Sequence, residues 1–340
     1  MQPATGTGQI GTETARDERK SALDAWVSRQ LGQPVQGLPA SADASFRRYF
    51  RYKFTDGDQP RSLIGMDAPP PQEDCRPFVR VAGLLADAGV HVPHIIAADL
   101  EQGFLLLPDL GTRTWLEVLD ADNADDRFGR AMDDLIRIQR ISQPHVLPVY
   151  DEALLRRELE LFPEWYLKRH LGLELDAGLR AELDHVFDLL VARALGQGQV
   201  YVHRDFMPRN LMDSDPDPGI LDFQDAVYGP VSYDITSLFK DAFISWPESR
   251  VLGWWQQYWQ RARAAGLPVP ATFDTFLHDC DLMGAQRHLK VIGIFARICH
   301  RDGKPKYLAD VPRFAGYLRE AMARRDELAP LGALLDRVGL

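Results

Sequence analysis

The most informative segment of the chain reads Tyr201-Val202-His203-Arg204-Asp205-Phe206-Met207-Pro208-Arg209-Asn210. It contains His-Arg-Asp and, five residues after the aspartate, an asparagine. Twelve residues after Asn210, an apolar run ends in a second aspartate, Asp222. At this spacing Asp205 and Asn210 can face one cavity from the two ends of a turn, with Asp222 delivered from an adjacent strand. We therefore expect the three side chains to act together.

Phosphoryl transfer gives this spacing a chemical meaning. One carboxylate must accept or orient the proton of the attacking hydroxyl, while an amide and a second carboxylate hold magnesium ions on the phosphates. We assign Asp205 as the catalytic base, and Asn210 and Asp222 as the magnesium ligands. Taken singly, an aspartate after an apolar run is more often a strand-end cap or a turn former. The three together favour a phosphotransferase that uses ATP and Mg²⁺.

Hydrophobic periodicity predicts two unlike parts of the chain. Residues 45–54 alternate as a half-buried strand does, although Arg48 falls on the apolar side. Further elements are predicted as strands at 62–67, 95–98 and 104–107 and as helices at 21–31 and 73–88. From residue 112 onward the pattern is mostly helical. This predicts an α+β fold with a small β-rich N-terminal lobe at 19–107, and a larger helical C-terminal lobe at 108–340 with the catalytic loop and the substrate site.

Composition and charge predict a globular, cytoplasmic protein. Lysine and arginine number 39 against 49 aspartate and glutamate, and the net charge of −10 argues against nucleic acid or an anionic membrane as partner. Residues 1–18 lack the apolar core of a signal peptide and are predicted to be a disordered tail. No apolar run reaches the length of about 18 to 20 residues that a membrane span needs. Three distant cysteines predict neither a disulfide framework nor a zinc site.

The segment from His203 to Asn210, with Ile220-Leu221-Asp222-Phe223 after it, resembles the signature of the aminoglycoside-phosphotransferase and choline-kinase superfamily. Gly229-Pro230 followed by Tyr233-Asp234-Ile235 resembles the stretch that closes this signature, with Asp234 in a structural role. The resemblance implies a protein-kinase-like fold of two lobes. The chain does not resemble a eukaryotic protein kinase, because the interval from Asn210 to Asp222 is short.

Further segments resemble one branch of that superfamily, the bacterial anomeric amino-sugar kinases of peptidoglycan recycling. They are Ser41-Ala42-Asp43-Ala44-Ser45-Phe46-Arg47-Arg48-Tyr49-Phe50, Met66-Asp67-Ala68-Pro69-Pro70, Phe162-Pro163-Glu164-Trp165-Tyr166, and Gln286-Arg287-His288 through Arg301-Asp302-Gly303-Lys304. The resemblance runs from about Leu38 to Tyr317. It implies that ATP phosphorylates the anomeric hydroxyl of N-acetylmuramate and N-acetylglucosamine, which gives the sugar 1-phosphate.

The same resemblance implies a nucleotide site that departs from the superfamily pattern. The usual glycine-rich phosphate loop is replaced by a glycine-free segment from which we select Ser41, Asp43, Ala44 and Ser45. An ordinary hairpin turn is the alternative. No lysine occurs in residues 63–67, so Arg48 is expected at the ATP phosphates, unless it snorkels or pairs with Asp67. Adenine is expected against the backbone near Leu107 and Asp109, where an ordinary buried strand is the alternative.

A basic stripe at helical intervals is a candidate substrate site. The basic stripe consists of Arg287, Lys290, Arg297 and Arg301. It could meet an anion such as the lactyl carboxylate of N-acetylmuramate, or it could be a solvated helix face. His288 is included in the same substrate set. Glu164, with the rings of Trp165 and Tyr166, could contact a sugar, and Asp225 could bind a hydroxyl or N-acetyl group. Helix packing by Trp165 and helix capping by Asp225 are the alternatives.

Two other functions are compatible with these residues. An aminoglycoside or other small-alcohol phosphotransferase would need an acidic pocket for a polycation, and the basic stripe points the other way. A nucleotide-binding pseudokinase without turnover is suggested by the missing lysine. The presence of Asp205, Asn210 and Asp222 argues against that alternative.

Overall fold

The computed structural model describes residues 7–41 and 46–340. The strands are β1 Gly37–Ser41, β2 Arg48–Asp56, β3 Gln59–Asp67, β4 Ala97–Asp99, β5 Phe104–Pro108, β6 Gln199–Val202, β7 Leu211–Met212, β8 Gly219–Ile220 and β9 Val227–Pro230. The α-helices are α1 Thr7–Leu31, α2 Arg76–Asp87, α3 Trp115–Val118, α4 Ala124–Arg140, α5 Glu152–Leu159, α6 Ala177–Leu195, α7 Tyr233–Phe239, α8 Glu248–Ala264, α9 Phe273–Asp302, α10 Val311–Met322 and α11 Ala329–Val338. A π-helix spans Phe162–His170, and 3-10 turns span Pro208–Asn210, Pro305–Asp310 and Asp326–Leu328.

The chain divides into two compact units. The first contains the described residues up to Thr112 together with Ser214–Gln224, and the second contains Arg113–Asp213 and Asp225–Leu340. The first unit is built on an antiparallel sheet in the order β1-β2-β3-β5-β4. The second unit is largely helical. This composition of the two units confirms the predicted α+β class.

Helix α1 packs against the sheet of the first unit. Leu23 and Val27, four residues apart, are fully buried and join a cluster with Phe50 of β2 and Leu106 of β5. Helical spacing of these apolar residues explains why the helix forms and which side faces the sheet. Because Phe50 packs in this cluster, its side of β2 faces the core.

Helix α1 begins at Thr7, earlier than the sequence prediction. Its described part includes residues 7–18, which composition assigned to a disordered tail. Residues 13–19 read Glu-Thr-Ala-Arg-Asp-Glu-Arg, and most of these are good helix formers. The helix therefore extends beyond the apolar residues from which it was predicted.

The segment Ser214–Gln224 belongs to the first unit through specific contacts. The ring of Phe223 lies 4.7 Å from the ring of Phe78 on α2, and the N–H of Ile220 donates to the carbonyl of His91 at 2.7 Å. The sequence-based prediction includes this segment in the helical C-terminal lobe, 108–340. The predicted lobe boundary between residues 107 and 108 remains a prediction.

The core of the second unit is organised around the long helix α9. The π-helix packs closely on α9 at Gly293, where an added Cβ would lie 2.3 Å from the carbonyl carbon of Leu161. Phe162, Leu289 and Ile292 are fully buried in the same cluster. No helix in residues 7–41 and 46–340 is long and apolar enough to cross a membrane.

Candidate active site

The predicted catalytic loop follows the C-terminal end of strand β6. Val202 pairs with Val227 of β9, and His203-Arg204-Asp205 follow directly. Arg204 adopts a left-handed φ of +76°, which costs an L-residue about 1 to 2 kcal/mol. The N–H groups of His203 and Arg204 donate to the carboxylate of Asp234 on α7, at 2.6 and 2.9 Å. Asp234 thus holds the backbone in its strained shape.

Asp234 is a buried carboxyl with a perturbed pKa. Its exposed fraction is 1%. Burial raises the pKa of Asp234 to about 7, while the two N–H donors favour the ionised form. These contacts agree with the structural role that the resemblance implies for Asp234.

One turn joins Asp205 and Asn210. The N–H of Asp205 donates to Nδ1 of His203 at 3.3 Å, and Nδ2 of Asn210 donates to the carbonyl of Asp205 at 2.9 Å. The 3-10 turn Pro208–Asn210 is closed by a hydrogen bond from the N–H of Asn210 to the carbonyl of Met207 at 2.8 Å. Because Nδ2 of Asn210 donates to the Asp205 carbonyl, the amide oxygen of Asn210 does not take part in that hydrogen bond.

Asp222 lies in the first unit, two residues after β8. It has a left-handed φ of +64°, and Nε2 of Gln224 donates to its Oδ1 at 2.8 Å. The structure therefore joins Asp205 and Asn210 within the second unit and places Asp222 in the other unit. A carboxylate and an amide oxygen are the hard ligands that Mg²⁺ prefers. The donor types of Asn210 and Asp222 thus fit the ion predicted from the sequence.

The predicted phosphate-contacting residues are only partly described. Ser41 ends β1, whereas Asp43, Ala44 and Ser45 lie outside the described residues. Nε of Arg48 donates to Oδ2 of the fully buried Asp67 at 3.0 Å. The alternative reading of Arg48, an ion pair with Asp67, is therefore present in the structure.

A second cation of the first unit also has an acidic partner. Nε of Arg47 lies 3.5 Å from Oε2 of Glu73, which precedes α2. Both side chains are largely buried, with exposed fractions of 12% and 18%. The first unit thus contains a second largely buried cation that is paired with a carboxylate.

Leu107 and Asp109 occupy the end of β5 and the residues after it. Leu107 is buried and pairs with Ile64 of β3. The Asp109 carboxylate accepts from Nε and Nη2 of Arg51 at 2.6 and 2.9 Å, and from the hydroxyl of Ser62 at 2.7 Å. Burial opposes ionisation, but these donors hold the pKa of Asp109 below its usual range. A contact to adenine here would therefore use the backbone.

Two residues of the predicted substrate set lie in the interior of the second unit. Arg287 and His288 each have an exposed fraction of 2%. The His288 ring packs against the rings of Phe314 and Tyr317, with centroids 5.5 and 5.2 Å away. Burial, together with the nearby charge of Arg287, holds the pKa of His288 well below its usual value. The N-terminal half of the basic stripe is therefore not a solvated face.

Arg297 differs from the other members of the basic stripe. Its side chain is half-buried, and its Nε is buried without a hydrogen-bond partner among the residues that the structure describes. Burial and the neighbouring Arg301 lower the pKa of Arg297. Arg301 instead pairs with Asp302 at 2.6 Å. Arg297 is thus a cation for which a ligand could supply the anion.

The remaining predicted substrate residues lie near the surface. Glu164 is exposed and pairs with Lys168 at 3.3 Å. Trp165 is partly buried against the core, and the guanidinium of Arg169 lies 5.8 Å from the centre of its ring. Asp225 is exposed, and its backbone carbonyl accepts from Nη1 of Arg204 at 3.4 Å.

Glu158, a buried carboxylate beside the predicted catalytic loop, is not among the residues predicted from the sequence. It contacts Nη2 of Arg204, the hydroxyl of Tyr150, and Nζ of Lys290 at 2.9 Å. Burial opposes ionisation, but the charges of Lys290 and Arg204 lower the pKa of Glu158 to about 2. A signal was available, because Glu158 stands three residues after Leu155 and therefore falls on the apolar face of its helix.

The chain is similar to known phosphotransferases. The sequence pattern described as "Phosphotransferase enzyme family" matches residues 36–274. A chain of Pseudomonas aeruginosa named N-acetylmuramate/N-acetylglucosamine kinase is 60% identical over 330 residues, covering 94% of this chain and 96% of that one.

Solved structures show the same fold at low sequence identity. Choline kinase LicA from Streptococcus pneumoniae has a TM-score of 0.62 at 14% identity, covering 89% of this chain and 99% of that one. ADP-bound aminoglycoside phosphotransferase APH(2'')-Ib has a TM-score of 0.55 at 12% identity, covering 88% and 98%. This likeness confirms the protein-kinase-like fold class predicted from the sequence.

Proposed function

The chain belongs to the phosphotransferase enzyme family, and we propose that it transfers the γ-phosphoryl group of ATP to N-acetylmuramate and N-acetylglucosamine. The observation that carries the proposal is the 60% identity, over nearly the full length of both chains, to the relative named for that activity. The acceptor is the anomeric hydroxyl, so the product is a sugar 1-phosphate. Because the reaction consumes ATP, we place it in the cytoplasm, as a step of cell-wall recycling.

The roles of the catalytic residues follow from the chemistry of phosphoryl transfer. Asp205 accepts the proton of the anomeric hydroxyl, and Asn210 and Asp222 would hold magnesium. When bound, the ions neutralise charge on the phosphate oxygens. An anomeric hydroxyl is more acidic than an ordinary alcohol, so less is required of Asp205 as a base. The main task of the loop is then to position Asp205. The hydrogen bond from Asn210 to the Asp205 carbonyl stabilises the loop.

The nucleotide is proposed to bind the first unit. The neighbour with bound ADP supports nucleotide use by this fold. The proposed contacts are the segment with Ser41, Asp43, Ala44 and Ser45, the cation Arg48, and the backbone at Leu107 and Asp109. Since Arg48 already pairs with Asp67, Arg47 is a second candidate for the phosphates.

Arg297 is proposed to distinguish the two sugars. N-acetylmuramate carries a lactyl carboxylate that N-acetylglucosamine lacks, and a half-buried arginine whose Nε has no hydrogen-bond partner among the described residues would bind it. Lys290 is linked through Glu158 to Arg204 of the catalytic loop. Arg297 follows Lys290 by seven residues on α9, which is about 10 Å along the helix. We expect Arg297→Gln to raise the KM for N-acetylmuramate about tenfold and to leave N-acetylglucosamine unaffected. Arg301→Gln is the control.

An ATP-consumption assay tests the proposed function. The purified chain is incubated with ATP, Mg²⁺ and, separately, N-acetylmuramate, N-acetylglucosamine, glucosamine or kanamycin. Turnover with the two N-acetylated sugars supports the proposal. Turnover with kanamycin alone would assign an aminoglycoside phosphotransferase, and nucleotide binding without turnover on any acceptor would assign a pseudokinase.

A further inference from the structure

The contacts of Arg204 extend through three helices and close into a ring. Its Nη2 contacts Oε1 of Glu158 on α5, and the same oxygen accepts from Nζ of Lys290 on α9 at 2.9 Å. Lys290 also donates to the hydroxyl of Tyr233 on α7 at 3.1 Å. Tyr233 directly precedes Asp234, which binds the N–H of Arg204. We call Arg204, Glu158, Lys290, Tyr233 and Asp234 the Glu158 ring.

The charged side chains of the Glu158 ring are largely buried. Glu158 and Lys290 have side-chain exposures of 6% and 11%. Buried charges are unfavourable unless they are paired and hydrogen-bonded, and here the cations Arg204 and Lys290 both contact the carboxylate of Glu158. The second oxygen of Glu158 contacts the Tyr150 hydroxyl and accepts from Nε2 of Gln286 at 3.3 Å. The carboxylate is therefore anchored through both oxygens, so its position leaves Arg204 little freedom.

We propose that Glu158 and Lys290 are positioning residues for Asp205, acting through Arg204. Asp205 directly follows Arg204, whose left-handed backbone persists only if the surroundings hold it. Asp234 fixes the backbone of Arg204, and Glu158 fixes its side chain from a different helix. Lys290 in turn fixes Glu158 and ties it to the helix that carries Asp234. The inference rests on the proposed function, since the loop is positioned for phosphoryl transfer.

A positioning role differs measurably from a purely structural one. A buried network that only stabilised the fold would change the melting temperature and leave the kcat of folded molecules unaltered. A positioning network changes kcat while the KM values for ATP and the sugar stay nearly constant. It also changes the mobility of the loop at 203–210 when no substrate is present. This last property does not depend on which reaction the protein catalyses.

Glu158→Gln in the full chain is the primary test. The glutamine keeps the shape but leaves Arg204 and Lys290 without their shared anion. We expect kcat to fall about tenfold or more, KM values within about twofold of wild type, and faster amide hydrogen exchange at residues 203–210. Glu160→Gln is the matched control. Glu160 lies two residues after Glu158, and its carboxylate forms an exposed ion pair with Arg180. The control should match the wild type in kcat and in loop exchange.

Lys290→Met keeps the inference testable if Glu158→Gln does not fold. It leaves the contact between Glu158 and Arg204 in place, so the loss of kcat should be smaller. Combined with Glu158→Gln, it should restore part of kcat by removing an unpaired cation. Unchanged kcat and loop exchange in the folded variants would overturn the inference. A wild-type chain without kinase activity would refute the proposed function instead, and the exchange comparison would still decide the positioning role.

Discussion

At the scale of single residues, the proposed chemistry depends most on Asp205. Asp205→Asn keeps the size of the side chain but removes the proton acceptor. We expect turnover to fall by about 10² or more while nucleotide binding stays intact. Steady-state kinetics and calorimetry measure the two quantities, and Asp188→Asn, a change at an exposed residue, is the control. Turnover within tenfold of wild type would remove Asp205 from the role of base.

Asp222 provides the test of the metal site. Asp222→Ala removes a carboxylate ligand, so magnesium-dependent nucleotide binding should be lost, as measured by titration calorimetry with and without Mg²⁺. Asp225→Ala, three residues later at an exposed position, should leave magnesium dependence unaltered. If Asp222→Ala retained the full magnesium dependence, Asp222 would not be a ligand.

The turn that brings Asp205 and Asn210 together could be predicted because the two residues are close in the sequence, whereas their catalytic roles stay predictions. Asp205 and Asn210 are five residues apart, and their connection is a local turn. Glu158 could not be assigned in the same way. Its partners Arg204 and Lys290 lie 46 and 132 residues further along the chain, so only the tertiary structure brings the three charges together.

At the scale of secondary-structure elements, the packing of the π-helix on α9 depends on Gly293. Gly293→Ala would place a methyl group 2.3 Å from the Leu161 backbone, which must shift. We expect a loss of about 3 kcal/mol in the free energy of unfolding, measured with denaturant. Gly253→Ala on α8 is the control, because its Cβ meets nothing within 4 Å, and it should gain about 0.5 to 1 kcal/mol. Equal stability of the two variants would contradict the tight packing at Gly293.

The elements themselves were predictable where one periodicity dominates. Alternation marked β2, and the apolar positions of α1 predicted its last eleven residues, 21–31. The earlier start of α1 and the π-helical form of Phe162–His170 were not predictable. The first depends on helix formers without an apolar face, and the second accompanies the close approach at Gly293.

At the scale of the whole molecule, three buried carboxylates in the described part of the chain each contact two cations. They are Asp67 with Arg19 and Arg48, Glu158 with Arg204 and Lys290, and Asp281 with Arg324 and Arg325. One set lies in the first unit and two lie in the second. Protonation of Glu158, whose pKa the two cations lower, would leave Arg204 and Lys290 without their shared anion, so this set predicts sensitivity to acid.

The pH dependence of stability tests this arrangement at Glu158. Its folded pKa of about 2 lies below the usual 4.5, so the ionised form stabilises the fold. That contribution, about 3 kcal/mol, is complete above pH 4.5 and is lost as the pH falls toward 2. The stability difference between wild type and Glu158→Gln should therefore shrink below pH 4.5. Glu164→Gln, at an exposed pair, should track the wild type; a difference for Glu158→Gln that stays constant with pH would contradict the assignment.

The central claim, transfer of phosphate to an anomeric hydroxyl, is tested most directly by phosphorus NMR of the product. The chain is incubated with ATP, Mg²⁺ and N-acetylglucosamine, and the product is isolated. We predict a phosphorus signal coupled to the anomeric proton, and loss of the phosphate in mild acid, as glycosyl phosphates show. An acid-stable product with phosphorus coupled to the C6 protons would contradict the account.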